Sequence, residues 1–347
     1  MTNFDPSLRL HLDAEALVSN WRALDARSGA ARAGAAVKAN GYGLGAREVA
    51  TRLRDAGCRD FFVAHWGEAE FIADLVPPSW ISVLNGITQA DVNAARALGA
   101  IPVLNTPEQI VMWRSAGGGR CHVMMDSGIN RLGLAPQHIA DGVIEGVDVD
   151  ILLSHLASAD EDVAQNARQL GVFTEARSHI RAQRFSFANS AGIMLGAEYH
   201  FDLTRPGLSL YGGIARPEMA DWIKPVVRLS ARLLQVRDLP AGATVGYNAT
   251  HVCREETRVG TISIGYADGY MRAFSSKGRA WTDGLALPVI GRVSMDLVTL
   301  NLNASPDLRE GDWVDIEYDL VDAAALTELS QYELLTNLGS RFERSWS

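Results

Sequence analysis

The sequence predicts an α/β fold: a (β/α)8 TIM-type barrel over residues 1–224, followed by a smaller, mostly β domain over 225–347. Three observations carry this expectation. Short apolar runs alternate with amphipathic helical stretches through the first two-thirds of the 347 residues. Those runs are apolar without alternation, as parallel strands covered on both faces should be. Past Pro225 the helices give way to successive strands split by turn signals.

Taken in order, an opening strand near Arg9–Leu12 precedes a helix in which Leu17, Val18, Trp21 and Leu24 fall at helical spacing, with Asp13 placed to cap it. This opening strand stands outside the barrel count, so it is free to pack with the second domain. Eight strands follow: AAVKA (35–39), DFFVAH (60–65), ISVLNG (81–86), IPVLN (101–105), CHVMMD (121–126), DILLSHLA (150–157), FSFAN (185–189) and FDLTR (201–205). Helical stretches separate most of them, among them AREVATRLRDAG (46–57), QADVNAARALG (89–99) and DVAQNARQLGVFTEARSHI (162–180). A doubly wound sheet is the competing fold. The count of eight, with no G-x-G-x-x-G after the first strand, favours the barrel. In the second domain VRLSARLLQVRDL (227–239), RVGTISIGY (258–266), LALPVIGRVSMDLVTLNL (285–302) and DWVDIEY (312–318) read as strands, and helical character returns at ALTELSQYELLTNLGSRF.

A net charge of −9 argues against general binding of nucleic acid or anionic membranes. The three cysteines, Cys58, Cys121 and Cys253, are odd in number and form no CxxC, which fits a reducing compartment. With no apolar leader and no long apolar run, the expected location is cytoplasmic.

Barrel enzymes gather their chemistry at the carboxyl ends of the strands, with phosphate often bound after strands seven and eight. Strand one ends at Lys38, one of only three lysines against 32 Lys+Arg. Tyr42 follows in a glycine-rich turn. Arg131 lies just past strand five, His155 ends strand six, strand seven leads into Asn189-Ser190-Ala191, and strand eight into Arg205-Pro206-Gly207. Singly, each has an ordinary explanation: a solvated lysine, a structural histidine, an arginine on a surface carboxylate, an N-cap, loop packing. Together on one rim they form an imine-capable amine opposite a phosphate site, the donor set of a pyridoxal 5′-phosphate (PLP) pocket.

These motifs resemble those of the alanine racemases, PLP enzymes with a barrel followed by a β domain. The similarity runs from LHLDAEAL to ELLTNLGSRF. It is carried in family order by AVKANGYGLG, MDSGINRLG, SHLASAD, FANSAG, RPGLSLYG, TVGYNAT, IGYADGYMR and GRVSMD. The resemblance implies a cytoplasmic homodimer with composite sites that acts on alanine and needs no metal. Lys38 would hold PLP as an imine and serve as one base. Tyr247 of the partner subunit would be the other. Arg205 would face the pyridine nitrogen, His155 would link Arg205 to Tyr247, and Arg131 would contact the cofactor and the substrate carboxylate. Tyr42, Ser190 and the backbone at Gly207 and Leu208 would hold the phosphate. Met295 from the partner would bind the carboxylate through its amide, and Tyr266, Arg272 and Arg292 would line the entry.

Three positions depart from the family pattern. Leu44 stands where histidine is frequent, and Met124 where some members carry a carbamylated lysine that orients the arginine. Trp346 stands where a tyrosine often reaches the phosphate. The alternatives are a broad-specificity or serine-type racemase, a non-catalytic PLP-binding protein and, remotely, a phosphate-handling barrel without PLP.

Overall fold

The computed structural model describes residues 5–347. They divide into two compact units, one over Ala16–Lys224 and one joining the described residues up to Glu15 to Pro225–Ser347. The first strand, β1 (Leu8–Leu12), belongs to the latter.

In the unit over 16–224, β2 (Arg32–Ala33) and β3 (Ala35–Ala36) are successive halves of one strand. The sheet continues through β4 (Phe61–Val63), β5 (Ile81–Val83), β6 (Ile101–Leu104), β7 (Arg120–Met124), β8 (Asp148–Leu153), β9 (Arg184–Ser186) and β10 (Leu203–Thr204). Every pairing is parallel, and because β3 pairs with β4 while β2 pairs with β10, the sheet closes into an eight-stranded barrel. Gly34 is the seam. Its N–H donates to Thr204 O (2.9 Å), whereas the next N–H, from Ala35, turns to Asp60 O (2.8 Å). A Cβ at Gly34 would lie 2.8 Å from Asp60 O and 2.9 Å from the Phe62 ring, so only glycine lets both neighbours approach this closely.

The amphipathic pattern over 46–57 becomes the helix Ala46–Ala56, which buries Ala46, Val49, Ala50 and Leu53 and stops at Gly57 in the left-handed region (φ 118°). The apolar run over 35–39 yields a shorter strand than its composition suggests. From Ala39 to Tyr42 the chain adopts positive φ at four successive residues, which no strand accommodates.

At the amino end of the barrel the polar side chains pair among themselves. Arg184 bonds Asp150 (2.9 Å) and Asp60 (2.8 Å), Arg120 also bonds Asp150, and His122 Nε2 meets Ser82 Oγ at 3.1 Å. Burial pulls His122 down to about 3, so it is neutral. Charges spent on one another here read as stability, and the unspent ones lie at the opposite rim.

In the other unit, β11 (Val227–Leu239) bends at a bulge between Leu233 and Gln235 and so serves two partners. Its first half lies between β1 and β18 (Trp313–Ile316), its second half against β14 (Thr257–Ile262). The antiparallel order β14-β17-β16-β15-β18-β11 returns to β14, with β15 at Arg279–Thr282, β16 at Leu285–Ile290 and β17 at Val298–Asn301. A small ribbon of β12 (Thr244–Val245) and β13 (His251–Val252) stands apart. The last strand, β19 (Glu343–Trp346), lies parallel to β1, with Trp346 opposite Leu12.

Candidate active site

Lys38 opens a turn in which Ala39 (φ 52°), Asn40 (54°), Gly41 (63°) and Tyr42 (53°) are all left-handed. Gly41 N–H donates to Val37 O and Gly43 N–H to Ala39 O, both at 2.8 Å. Such residues cost of order 1 kcal/mol each outside glycine and need outside support. That support is on hand. The Asn40 side chain accepts from Ala46 N–H (3.0 Å), and Glu68 accepts from Ala39 N–H (2.6 Å). The same Glu68 carboxylate accepts from Ala64 N–H (2.7 Å), past the end of β4, and so ties two neighbouring strand ends together. Leu44 is fully buried and packs in the core.

The turn delivers the Tyr42 ring onto Tyr211, centroids 4.6 Å apart and 24° between planes. The Tyr211 hydroxyl donates to Ala36 O at 2.8 Å. Across the seam, a Cβ on Gly207 would fall 2.3 Å from Tyr42 Oη, so bare backbone lies directly against the tyrosine. Ser190 Oγ, buried, accepts the N–H groups of Gly207 (3.0 Å) and Ser209 (3.3 Å), while the Leu208 N–H between them has no acceptor among the described residues. Asn189 accepts from Gly192 N–H at 2.9 Å just ahead of a short helical turn, and so leaves Ser190 to the loop after β10.

Arg205 is buried, its two terminal nitrogens donating to Ser186 Oγ, Ser154 O and Phe187 O. Burial draws it down to about 10, still far above neutrality, so the guanidinium keeps its charge. Lys38 is pulled below the usual amine range by burial first, then by Arg131; Glu68 opposes and Arg205 adds to the lowering. His155 is lowered to about 3 by burial, Arg205, Arg131 and Lys38, in that order, and is therefore a neutral imidazole. These mutual fields place Lys38, Arg131, His155 and Arg205 in one neighbourhood. Among the described residues the Lys38 amine, the Arg131 guanidinium and the His155 ring make no hydrogen bond or ion pair to protein. A cluster of cations with no carboxylate bonded to it invites an anion.

Eight of the residues singled out in the sequence thus gather at the carboxyl ends of the barrel strands: Lys38, Tyr42, Arg131, His155, Ser190, Arg205, Gly207 and Leu208. The others, Tyr247, Met295, Tyr266, Arg272 and Arg292, belong to the second unit. Tyr247 is 66 % exposed in a loop with positive φ at Gly246, Asn248 and Ala249, and Met295 is 53 % exposed. Met295 O accepts from Ala267 N–H and Ser294 O from Tyr266 N–H (3.0 Å each), so the IGYADGYMR and GRVSMD motifs fold against each other. Arg272 lies over the Tyr266 ring at 5.1 Å.

Models of the alanine racemase N-terminal and C-terminal domains match residues 12–215 and 226–346. The chain belongs to the alanine racemase family. The alanine racemase of Methylobacterium nodulans is 41% identical over 358 aligned positions, covering 97% of this chain and 95% of that protein. A catabolic alanine racemase of Agrobacterium fabrum is 40% identical, covering 97% and 91%. Among solved structures, that of Bartonella henselae alanine racemase with covalently bound pyridoxal phosphate superposes with a TM-score of 0.92 at 34% identity, covering 99% of this chain and 100% of that one.

Two further residues shape the rim of this alanine racemase fold without having been singled out from the sequence. Glu68 reads locally as an ordinary carboxylate in the first turn of a helix, and nothing in the sequence signals its bond to Ala39 N–H, 29 residues away. Asp126 lay inside the MDSGINRLG motif, and only the folded loop shows what its carboxylate holds.

Proposed function

We propose that the protein racemises alanine, interconverting its L- and D-forms with PLP, and that two copies of the chain complete each site. The observation that carries this reading is the Lys38 amine, neighboured by Arg131 and Arg205 yet bonded to no protein group among the described residues, beside the Ser190–Gly207 cradle. The residues present fit the cofactor. An uncommitted amine suits its aldehyde, and the cationic rim suits its negative charge. The cradle, where a Cβ would collide, suits a phosphate held by backbone amides and the Tyr42 hydroxyl.

When bound, PLP supplies the electron sink that makes the α-hydrogen of an attached amino acid removable. This chain's residues supply the rest. Lys38 Nζ would hold the cofactor and would serve as the base for one face of the substrate. Its lowered proton affinity raises the neutral fraction that can accept a proton near neutrality. Tyr247 of the partner subunit is the base for the opposite face; its exposure in its own chain suits a residue that a second copy covers. Arg131 binds the substrate carboxylate, and the partner's Met295 offers its amide to the same group. Arg205, anchored by three oxygens and still charged, would face the ring nitrogen without readily giving up a proton. His155, being neutral, adds no charge to the rim, and its ring would link Arg205 to Tyr247 of the partner subunit. With all three cysteines free and buried, the expected setting is the cytoplasm.

The test is isotope exchange at Cα in the Tyr247→Phe variant. Exchange starting from L-alanine should fall by at least ~100-fold, with a much smaller loss from D-alanine. Equal losses from both enantiomers would contradict the two-base assignment. A panel of L-amino acids assayed for D-product in the same preparation separates alanine from serine as the preferred substrate.

A further inference from the structure

The arginine assigned to the substrate carboxylate has no modified lysine beside it. Met124 stands at that position, nine-tenths buried, and its Cγ lies 3.1 Å from where a Cβ of Gly133 would be, packed under the loop. What gathers the loop's successive amides is one carboxylate, while Ser127 is held separately by Ser154 and Gln169. Asp126 Oδ1 accepts the N–H groups of Gly128 (2.8 Å), Ile129 (3.0 Å) and Asn130 (3.1 Å), and Oδ2 accepts the N–H of Arg131 itself (2.9 Å). The feet of the loop are bonded to each other, Asp126 N–H to Leu134 O (2.9 Å) and Leu134 N–H to Met124 O (2.8 Å). Gly133 is required between them, since a Cβ there would sit 2.7 Å from Asp126 N. Asn130 turns left-handed (φ 56°) immediately before the arginine. Successive amides converging on one anion form a nest, and only a carboxylate has acceptors enough for four donors.

We propose that Asp126 is the positioning residue for Arg131, fixing through the main chain where the guanidinium meets the substrate carboxylate. The inference rests on the assignment of Arg131 to that carboxylate. Burial pushes the Asp126 carboxyl up, but its four amide donors outweigh this and hold it below the usual range, so the nest keeps its anion at any working pH. Replacing one oxygen by an NH2 group sets donor against donor at Arg131 or at the three preceding amides.

The experiment compares Asp126→Asn, Arg131→Ala and the double variant as holoenzymes, reading KM and kcat for both alanine enantiomers, PLP content and melting temperature. Asp126→Asn is expected to retain its PLP and to raise KM roughly 10- to 100-fold with a smaller change in kcat, the scale of a misplaced binding group. The double variant should be no worse than Arg131→Ala alone. A KM within about twofold of wild type in Asp126→Asn, while Arg131→Ala raises it, overturns the positioning role. Losses that multiply in the double variant overturn it as well. If Arg131→Ala itself leaves KM unchanged, what fails is the assignment of Arg131 to the substrate carboxylate. Should Asp126→Asn not fold, Asp126→Glu keeps the charge one methylene further out and is expected to show the same rise in KM; an unchanged KM there counts against the proposal.

Discussion

Lys38 shows how much of a catalytic residue's behaviour is set by what surrounds it. A lysine in water holds its proton to about pH 10. Here burial and two arginines favour the neutral amine, and Glu68 alone favours the charged one. Only the neutral amine attacks an aldehyde, so the apoprotein should take up PLP with a rate that rises with pH through a midpoint below the ordinary lysine value. Removing a cation from the rim, as in Arg131→Met, should move that midpoint upward. Glu68→Gln, which keeps an oxygen for Ala39 N–H but loses the charge, should move it downward. Stopped-flow absorbance across a pH series reads both shifts, and shifts of the opposite sign would show that the charges are misassigned.

Elements differ in how much of themselves the sequence discloses. The barrel strands were legible because burial on both faces leaves continuous apolar runs such as FFV and IPVL, and the long β11 because its apolar residues largely alternate with polar ones. β19 was not, since ERSW is short and mixed, and its strand character comes from lying beside β1. The left-handed turn after Lys38 was equally silent, because Ala39 and Tyr42 carry no preference for positive φ and are held there by Glu68, Asn40 and Tyr211. Site residues at strand ends could be named because the fold dictates where strand ends go. Glu68 and Asp126 act through backbone amides, and such contacts leave no residue pattern. The close approach of the Gly207 segment to Tyr42 makes a prediction at this scale. In Gly207→Ala the methyl must displace the Tyr42 ring from its stack, so PLP affinity measured by titrating the apoprotein should weaken at least ~10-fold. Stability should drop by about 1–3 kcal/mol, the usual cost of overpacking. Wild-type affinity would mean that the cradle does not hold the cofactor.

For the whole molecule, the composite-site reading makes a quantitative demand on mixed preparations. Lys38→Ala and Tyr247→Phe are each expected to be severely impaired in alanine turnover. A dimer containing one of each has one site with both defects and one with neither. After subunit exchange at equal concentrations, random pairing should restore about a quarter of wild-type activity. Size-exclusion chromatography and activity on the same mixture check this, and exchange without rescue would place both bases in a single chain.

The seating of β1 has a consequence in time. It lies between β11 and β19, with Leu12 opposite Trp346, so β1 must wait for a segment made 334 residues later (346 − 12). The barrel seam is likewise shut only when β10 reaches β2, some 170 residues downstream, as their registers Leu203 to Arg32 and Thr204 to Ala33 require. A ribosome adding about 5–20 residues each second leaves those early strand edges without their partners for many seconds. Synthesis therefore exposes unpaired β edges longest where the finished molecule hides them best, and losing the final few residues would strip β1 of one neighbour while leaving the barrel strands untouched.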